Sequence, residues 1–425
     1  MTSGALELTR SYRQFGGHNR FFTHFSEACQ SPMNFAVYLP PQTEHEKLPV
    51  MYYLSGLTCS EEIFMTEAQA QAYANTFGVI LVVPDTSPRG TGIAGEDDSY
   101  DLGSGAGFYV DASQPKWSKH YQMETYVTQE LREIVEREFS VLAGRRGIFG
   151  HSMGGHGALV LGLRHPDLYQ SISAFAPICA PSQGPWGIKA FTEYLGKDPT
   201  EWAKYDAQKL MQTTQVRTPM LVDQGLEDEF LPSELFTDLF EQTARGAGYP
   251  LQLRRHPGYD HSYFFISTFM AEHLAFHAAI LRAPAIPTAR TVRHYDCAAE
   301  KVFDAWLDPQ LMGRFMFGPE MRDEQIVHLK NDVRLGGKFS FLVKRQGQEI
   351  DHTGEYLALE RPRRLQFTWG AGGQKADSRV CLEITPSASG CTLVVEHVLA
   401  PGGESFVAMA SQSWGKMADA LAELL

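Results

Sequence analysis

Up to about residue 282, short apolar runs alternate with amphipathic stretches. Strand-like runs occur at 35–39, 49–54, 79–84, 147–149, 171–176, 218–222 and 251–253, and helical spacing at 66–76, 123–138, 154–165, 232–246 and 264–281. Continuous apolar runs separated by helices belong to strands covered on both faces, so an α/β domain with a mostly parallel sheet is expected. After residue 289 the rhythm changes. A strand at 291–295 leads to a short helix at 299–307. Strand patterns follow at 338–343, 353–359, 364–369, 378–384 and 391–397, and a final helix runs from about 404 to 424. Turns such as Leu335-Gly336-Gly337 suit hairpins, so this part is expected to be α+β, a curved antiparallel sheet around one long helix. Residues 283–289, Ala-Pro-Ala-Ile-Pro-Thr-Ala, read as a stiff linker. The expected organisation is a domain over 1–283, a linker over 284–289 and a second domain over 290–425.

Composition narrows the function classes. The chain has 425 residues, is 43% hydrophobic and 20% charged, and carries a formal charge of -13. Residues 290–425 hold 16 Lys/Arg and 18 Asp/Glu, which leaves 21 and 32 in 1–289, so the first part carries most of the acidity. Neither part has a basic stripe, and nucleic acid is not an expected partner. No run of 18 apolar residues and no apolar leader core is present, so neither a membrane span nor a secretory signal is expected. Six cysteines without Cys-x-x-Cys spacing argue for a reducing, cytoplasmic location and against a disulfide framework or a zinc site.

The strongest chemical signal is Gly150-His151-Ser152-Met153-Gly154-Gly155, placed after a strand and opening a helix. Such an elbow presents a serine at a helix N-terminus, where free N–H groups favour an oxyanion. Ser152 is therefore the candidate nucleophile, and a serine nucleophile needs a base oriented by an acid. In this type of fold the order along the chain is serine, acid, histidine. His261, in Gly258-Tyr259-Asp260-His261-Ser262, is the candidate base, with His256 as competitor. For the acid, Asp223, Glu227, Asp228 and Glu229 share one strand-end loop, and spacing does not choose among them. The oxyanion donors are expected to be the N–H groups of Met153 and of Leu57, in the turn Ser55-Gly56-Leu57-Thr58-Cys59. Gly90-x-Gly92-x-x-Gly95 matches a dinucleotide fingerprint, but Pro88 precedes it and Glu96-Asp97-Asp98 follows where phosphate would lie.

These motifs carry a resemblance. Residues 5–282 resemble the S-formylglutathione hydrolase (esterase D) family. The likeness runs through Ser55–Cys59, Gly95–Asp98, Gly105–Asp111, Pro115–Ser118, Gly150–Ala158, Asp223-Gln224-Gly225 with Asp228, and Gly258–Tyr263. The resemblance implies an α/β-hydrolase fold and a triad of Ser152, Asp228 and His261. It also implies hydrolysis of the thioester S-formylglutathione to formate and glutathione in formaldehyde detoxification, with no metal or organic cofactor. Cys59, Trp117, Trp186 and Lys116 are candidate substrate contacts, with core packing the alternative for the two tryptophans, a solvated side chain the alternative for Lys116, and no part in the chemistry expected of Cys59. Tyr100, Ala180 and Gly184 depart from the family pattern near the acyl or glutathione side. A broader carboxylesterase or acyltransferase with the same triad is the competing activity.

Residues 290–425 resemble the helix-grip family of activators of heat-shock-protein ATPase, related to START domains. The carriers include Val302–Pro309, Gly336–Phe339, Gly354–Glu360, Pro362–Leu365 and Phe367–Trp369. Phe339, Phe341, Phe367, Trp369 and Trp414 are expected to face an apolar cavity. A hydrophobic ligand there, a homodimer, and a carrier or co-chaperone role are entertained as further readings.

Overall fold

The first unit is organised by apolar runs that need cover on both faces. In the computed structural model, which describes residues 6–282, 287–372, 377–387, 389–400 and 403–425, they form a nine-stranded sheet. Its strands are β1 (Glu7–Gln14), β2 (Gly17–Ser26), β3 (Ser31–Leu39), β4 (Leu48–Leu54), β5 (Ile80–Pro84), β6 (Val141–His151), β7 (Ser171–Phe175), β8 (Met220–Gly225) and β9 (Leu251–His256). Their order is β1-β2-β3-β5-β4-β6-β7-β8-β9. Pairings from β5 to β9 are parallel, and β1, β2 and β3 add an antiparallel edge. This is the α/β-hydrolase arrangement. Every residue of β4, β5, β7 and β8 is buried, as continuous apolar runs require. β1 and β2 carry no such run: β1 is exposed almost throughout, at the sheet's edge.

The helical pattern at 66–76 resolves into two helices, Glu61–Glu67 and Ala70–Phe77, separated where Gln69 takes a left-handed conformation. The stretch 123–138 is helical with a π-turn at Tyr126–Leu131. Three helices had no clear sequence pattern: Pro185–Leu195, Pro199–Ala203 and Ala207–Thr213. The helix Tyr263–Leu281 is long and apolar enough to cross a membrane by composition alone. Its Phe265, Met270 and Leu274 are buried in the core, and its His273 and His277 bond Ser173 and Ser171 on β7. It is a core helix of this unit.

Contacts divide the chain into Met1–Ala283 and Pro284–Leu425, and residues 283–286 of the expected linker lie outside the described residues. The second unit is a seven-stranded antiparallel sheet with the C-terminal helix Val407–Ala422, the helix-grip arrangement. Its strands are β10 (Thr288–Tyr295), β11 (Glu324–Asn331), β12 (Lys338–Arg345), β13 (Gln348–Glu360), β14 (Arg364–Ala371), β15 (Ser378–Ser387) and β16 (Gly390–Val398), in the order β10-β16-β15-β14-β13-β12-β11. Phe339, Phe341, Phe367 and Trp414 point into its core. The expected apolar cavity is corrected, however. Trp306, Met312 and Met316, from or beside the short helices Ala299–Ala305 and Pro309–Phe315, fill the space and leave a void of about 10 Å³, room for about one water.

Buried neutral histidines make both units acid-sensitive. Burial lowers His156 in the first unit to about 4, partly offset by its bond to the Phe108 carbonyl. Burial also lowers His352 and His397 in the second unit to about 4. A histidine held below its unfolded value of about 6.5 leaves the unfolded chain binding more protons between the two values. Stability is therefore full above about 6.5 and falls as the pH drops toward about 4. Thermal melting at pH 7.5 and pH 5 is expected to show a lower transition temperature at pH 5; equal transitions would contradict this burial.

Candidate active site

β6 ends at His151, and the helix Met153–Arg164 begins one residue after Ser152. Ser152 between them has φ 57° and ψ -119°, a conformation that costs a non-glycine residue about 1–3 kcal/mol. The surroundings hold it there. Its N–H donates to the Phe175 carbonyl at 3.0 Å, and its carbonyl accepts the His156 and Ile178 N–H groups at 2.9 and 3.2 Å. The crossing is so close that a Cβ on Gly154 would sit 1.9 Å from the Leu54 carbonyl oxygen, and one on Gly150 2.2 Å from the Gly154 carbonyl oxygen. Glycine is required at both positions by packing. Ser152 is 3% exposed.

The loop after β9 brings in His261. Its Nδ1 lies 2.6 Å from Asp228 Oδ2. Asp228 is buried, and it also accepts the Phe230 N–H at 2.9 Å and the Gln224 side-chain amide at 3.2 Å. The other acids are placed differently. Glu227 and Glu229 are exposed. Asp223, on β8, accepts both arms of the Arg254 guanidinium at 2.6 Å and lies 3.3–3.4 Å from His256 and His273. Burial pushes the Asp223 carboxyl up, but His273 and Arg254 outweigh it and bring it to about 2. His256 faces Asp223 and packs on Phe269.

Ser152 and His261 open on one cleft of about 300 Å³, which Leu57, Cys59, Tyr100, His151, Trp186, Phe230 and Tyr263 also line. Among the described residues, the N–H groups of Leu57 and Met153 meet no hydrogen-bond acceptor. Burial pushes the Cys59 thiol up to about 11, so at neutral pH it is a thiol and a poor nucleophile. Trp186 stands in the wall, its Nε1 donating to the Tyr100 hydroxyl at 3.0 Å.

Two expected contacts are corrected. Trp117 is fully buried, edge-on to Tyr121 and Tyr194, with Nε1 donating to Glu193. Lys116 lies over the Trp117 ring, 4.5 Å from its centroid. Neither lines the cleft. In the Gly90–Gly95 loop the buried Glu96 accepts the Thr91 N–H and the Tyr121 hydroxyl, each at 2.9 Å. An acid therefore occupies the place where a phosphate would sit.

Sequence reasoning missed His151, Phe230 and Tyr263 as cleft residues. His151 and Tyr263 lie inside the quoted motifs and Phe230 two residues after Asp228, and that adjacency was the available signal. His151 is buried beneath His261, with ring centroids 4.4 Å apart, and burial lowers it well below the usual histidine value. Among the described residues, no group of three or more His, Cys, Asp or Glu side chains is placed to hold a metal ion.

Comparison with known proteins places this arrangement. Residues 26–276 match the Esterase family model, and residues 296–425 match the model of Activator of Hsp90 ATPase homolog 1-like protein. An S-formylglutathione hydrolase from Agrobacterium tumefaciens is 45% identical, with a TM-score of 0.63; the match covers 64% of this chain and 99% of that one. A ferulic acid esterase (23% identity, TM-score 0.51, covering 63% of this chain and 100% of that one) shares the fold. So does FphF, a fluorophosphonate-binding serine hydrolase of Staphylococcus aureus (18%, 0.50, covering 62% and 98%). The chain belongs to the Esterase family, as a serine ester hydrolase of α/β-hydrolase fold that carries a C-terminal activator of Hsp90 ATPase homolog 1-like domain.

Proposed function

We propose that the protein is a thioesterase acting on S-formylglutathione through Ser152, His261 and Asp228. The carrying observation is the 2.6 Å His261–Asp228 pair opening on the same cleft as Ser152. The 45% identical S-formylglutathione hydrolase supports the choice of substrate. His261 takes the Ser152 proton as Oγ attacks the formyl carbon. Asp228 holds the imidazole with its other nitrogen toward the serine and stabilises the imidazolium. The Leu57 and Met153 N–H groups receive the oxyanion. The bond to sulfur breaks, and the departing glutathione thiolate takes up the proton held on His261, which returns the imidazole to its neutral form. Water deprotonated by His261 then attacks the formyl ester on Ser152, giving formate and regenerating the hydroxyl. A cleft of about 300 Å³ is at the small end for ligand sites, which suits a one-carbon acyl group. The reading places the enzyme in formaldehyde detoxification in the cytoplasm.

The test is a panel of kcat/KM values for S-formylglutathione, S-acetylglutathione and p-nitrophenyl acetate and butyrate. The formyl thioester is expected to lead by about tenfold or more, roughly 1.4 kcal/mol of transition-state binding. Preference for the nitrophenyl esters would favour the carboxylesterase or acyltransferase reading.

The two domains are proposed to be catalytically independent. Every residue given a chemical role lies within 57–261, and each unit has its own hydrophobic core. A chain ending at Ala283 is expected to keep kcat/KM for S-formylglutathione within about tenfold of the full chain. A larger loss would assign substrate contacts or a lid to residues 284–425, and loss of a cellular phenotype on removing them alone would favour a carrier or co-chaperone role.

A further inference from the structure

The turn that carries Leu57 is conformationally demanding. Thr58 has φ 68°, the left-handed region that side chains disfavour. Its N–H donates to the Gly105 carbonyl at 2.9 Å, and the Cys59 N–H donates to the Gly56 carbonyl at 3.3 Å. The far end of the turn is held from outside. The Cys59 carbonyl accepts two side-chain donors, Thr86 Oγ1 at 2.7 Å and Arg89 Nη2 at 3.0 Å. Arg89 is itself fixed by Asp85, through Nε to Oδ2 at 2.8 Å and Nη2 to Oδ1 at 2.9 Å. Asp85 directly follows β5 and is nearly fully buried. Its N–H donates to the Asn34 carbonyl at 2.9 Å, and its Oδ1 accepts the Thr86 N–H at 2.7 Å. Thr86 is fully buried.

We propose that Arg89 and Thr86, anchored by Asp85, are positioning residues that clamp the Cys59 carbonyl and so aim the Leu57 N–H at the oxyanion formed on Ser152. This rests on the reading of Leu57 as an oxyanion donor. None of the three touches the reacting atoms; they act through the turn. Without the clamp, the disfavoured turn keeps only its Thr58 and Cys59 N–H bonds, and a shift at its far end tilts the Leu57 N–H away. An oxyanion donor stabilises the transition state far more than the bound ester. Losing its aim therefore lowers kcat and leaves KM.

The experiment uses the full chain with p-nitrophenyl acetate as substrate and phenylboronic acid as a tetrahedral analogue. Arg89→Met keeps the aliphatic stem and removes the fork; Thr86→Val removes the hydroxyl at nearly constant shape; Thr86→Ser keeps it. Arg89→Met and Thr86→Val are expected to lower kcat about tenfold or more with KM little changed, somewhat less than deleting a donor outright. Inhibition by the boronate should weaken by the same factor, and Thr86→Ser should restore both. A merely structural role would lower the melting temperature while kcat and the boronate inhibition constant stay within about twofold, and that result overturns the clamp. If Arg89→Met does not fold, Thr86→Val against Thr86→Ser decides alone. A boronate that fails to inhibit the unsubstituted enzyme overturns the oxyanion reading itself, which distinguishes the two failures.

Discussion

Ser152→Ala is expected to lower hydrolysis of S-formylglutathione and of p-nitrophenyl acetate by about 10⁴-fold or more, near 5.5 kcal/mol of transition-state stabilisation. The serine supplies the covalent intermediate, and the Cys59 thiol that shares the cleft, kept protonated by burial, is a poor substitute. His261→Ala should fall equally far, and the double variant no further, because the residues act as one unit. Removing Oγ from a side chain already held at the elbow by its backbone bonds costs little stability, so the variant should melt near the parent. Steady-state rates with a melting curve for each variant check this. Retained turnover in Ser152→Ala would end the assignment.

The two buried aspartates beside β8 are expected to part company on substitution. Asp228→Asn leaves the fold but removes the acceptor that fixes the His261 tautomer, and kcat should fall by about 10⁴. Asp223→Asn should act on stability. Its carboxyl, held at about 2, contributes stability that is present above the unfolded value of about 3.9 and is lost as pH falls through about 2. At neutral pH the substitution removes one of the two carboxylates on the Arg254 guanidinium, 25% exposed, and leaves it Glu272 alone. The expected pattern is a lower melting temperature with kcat per folded enzyme retained. Loss of kcat without loss of stability in Asp223→Asn would move the acid from Asp228 to Asp223.

That pair shows what the sequence could and could not carry. The elbow was legible because everything it needs is local: a strand, a glycine-flanked serine and a helix within some twenty residues. The acid was not. Asp223 and Asp228 lie five apart in one strand-end segment, and which one meets His261 depends on Arg254, His256 and His273 claiming the first. Only a family resemblance pointed to Asp228. β1 and β2 escaped notice because an edge hairpin need not be apolar on both faces. Trp117 stayed open because an aromatic among polar neighbours looks the same whether it meets a ligand or, as here, Tyr121 and Tyr194. In the second unit the inward aromatics were legible from alternation, but the closure of the cavity was not. Met312 and Met316 reach it from the helix Pro309–Phe315 and the residue after it, a stretch with no strong periodicity.

One serine, Ser152, is expected to carry the acyl group. The most direct measurement treats the full chain with a fluorophosphonate and maps the adduct by peptide mass spectrometry alongside residual activity. The predicted result is a single adduct on the peptide containing Ser152, formed in proportion to the activity lost and nearly absent in His261→Ala. An adduct on any other residue, or full loss of activity with Ser152 unmodified, would contradict it.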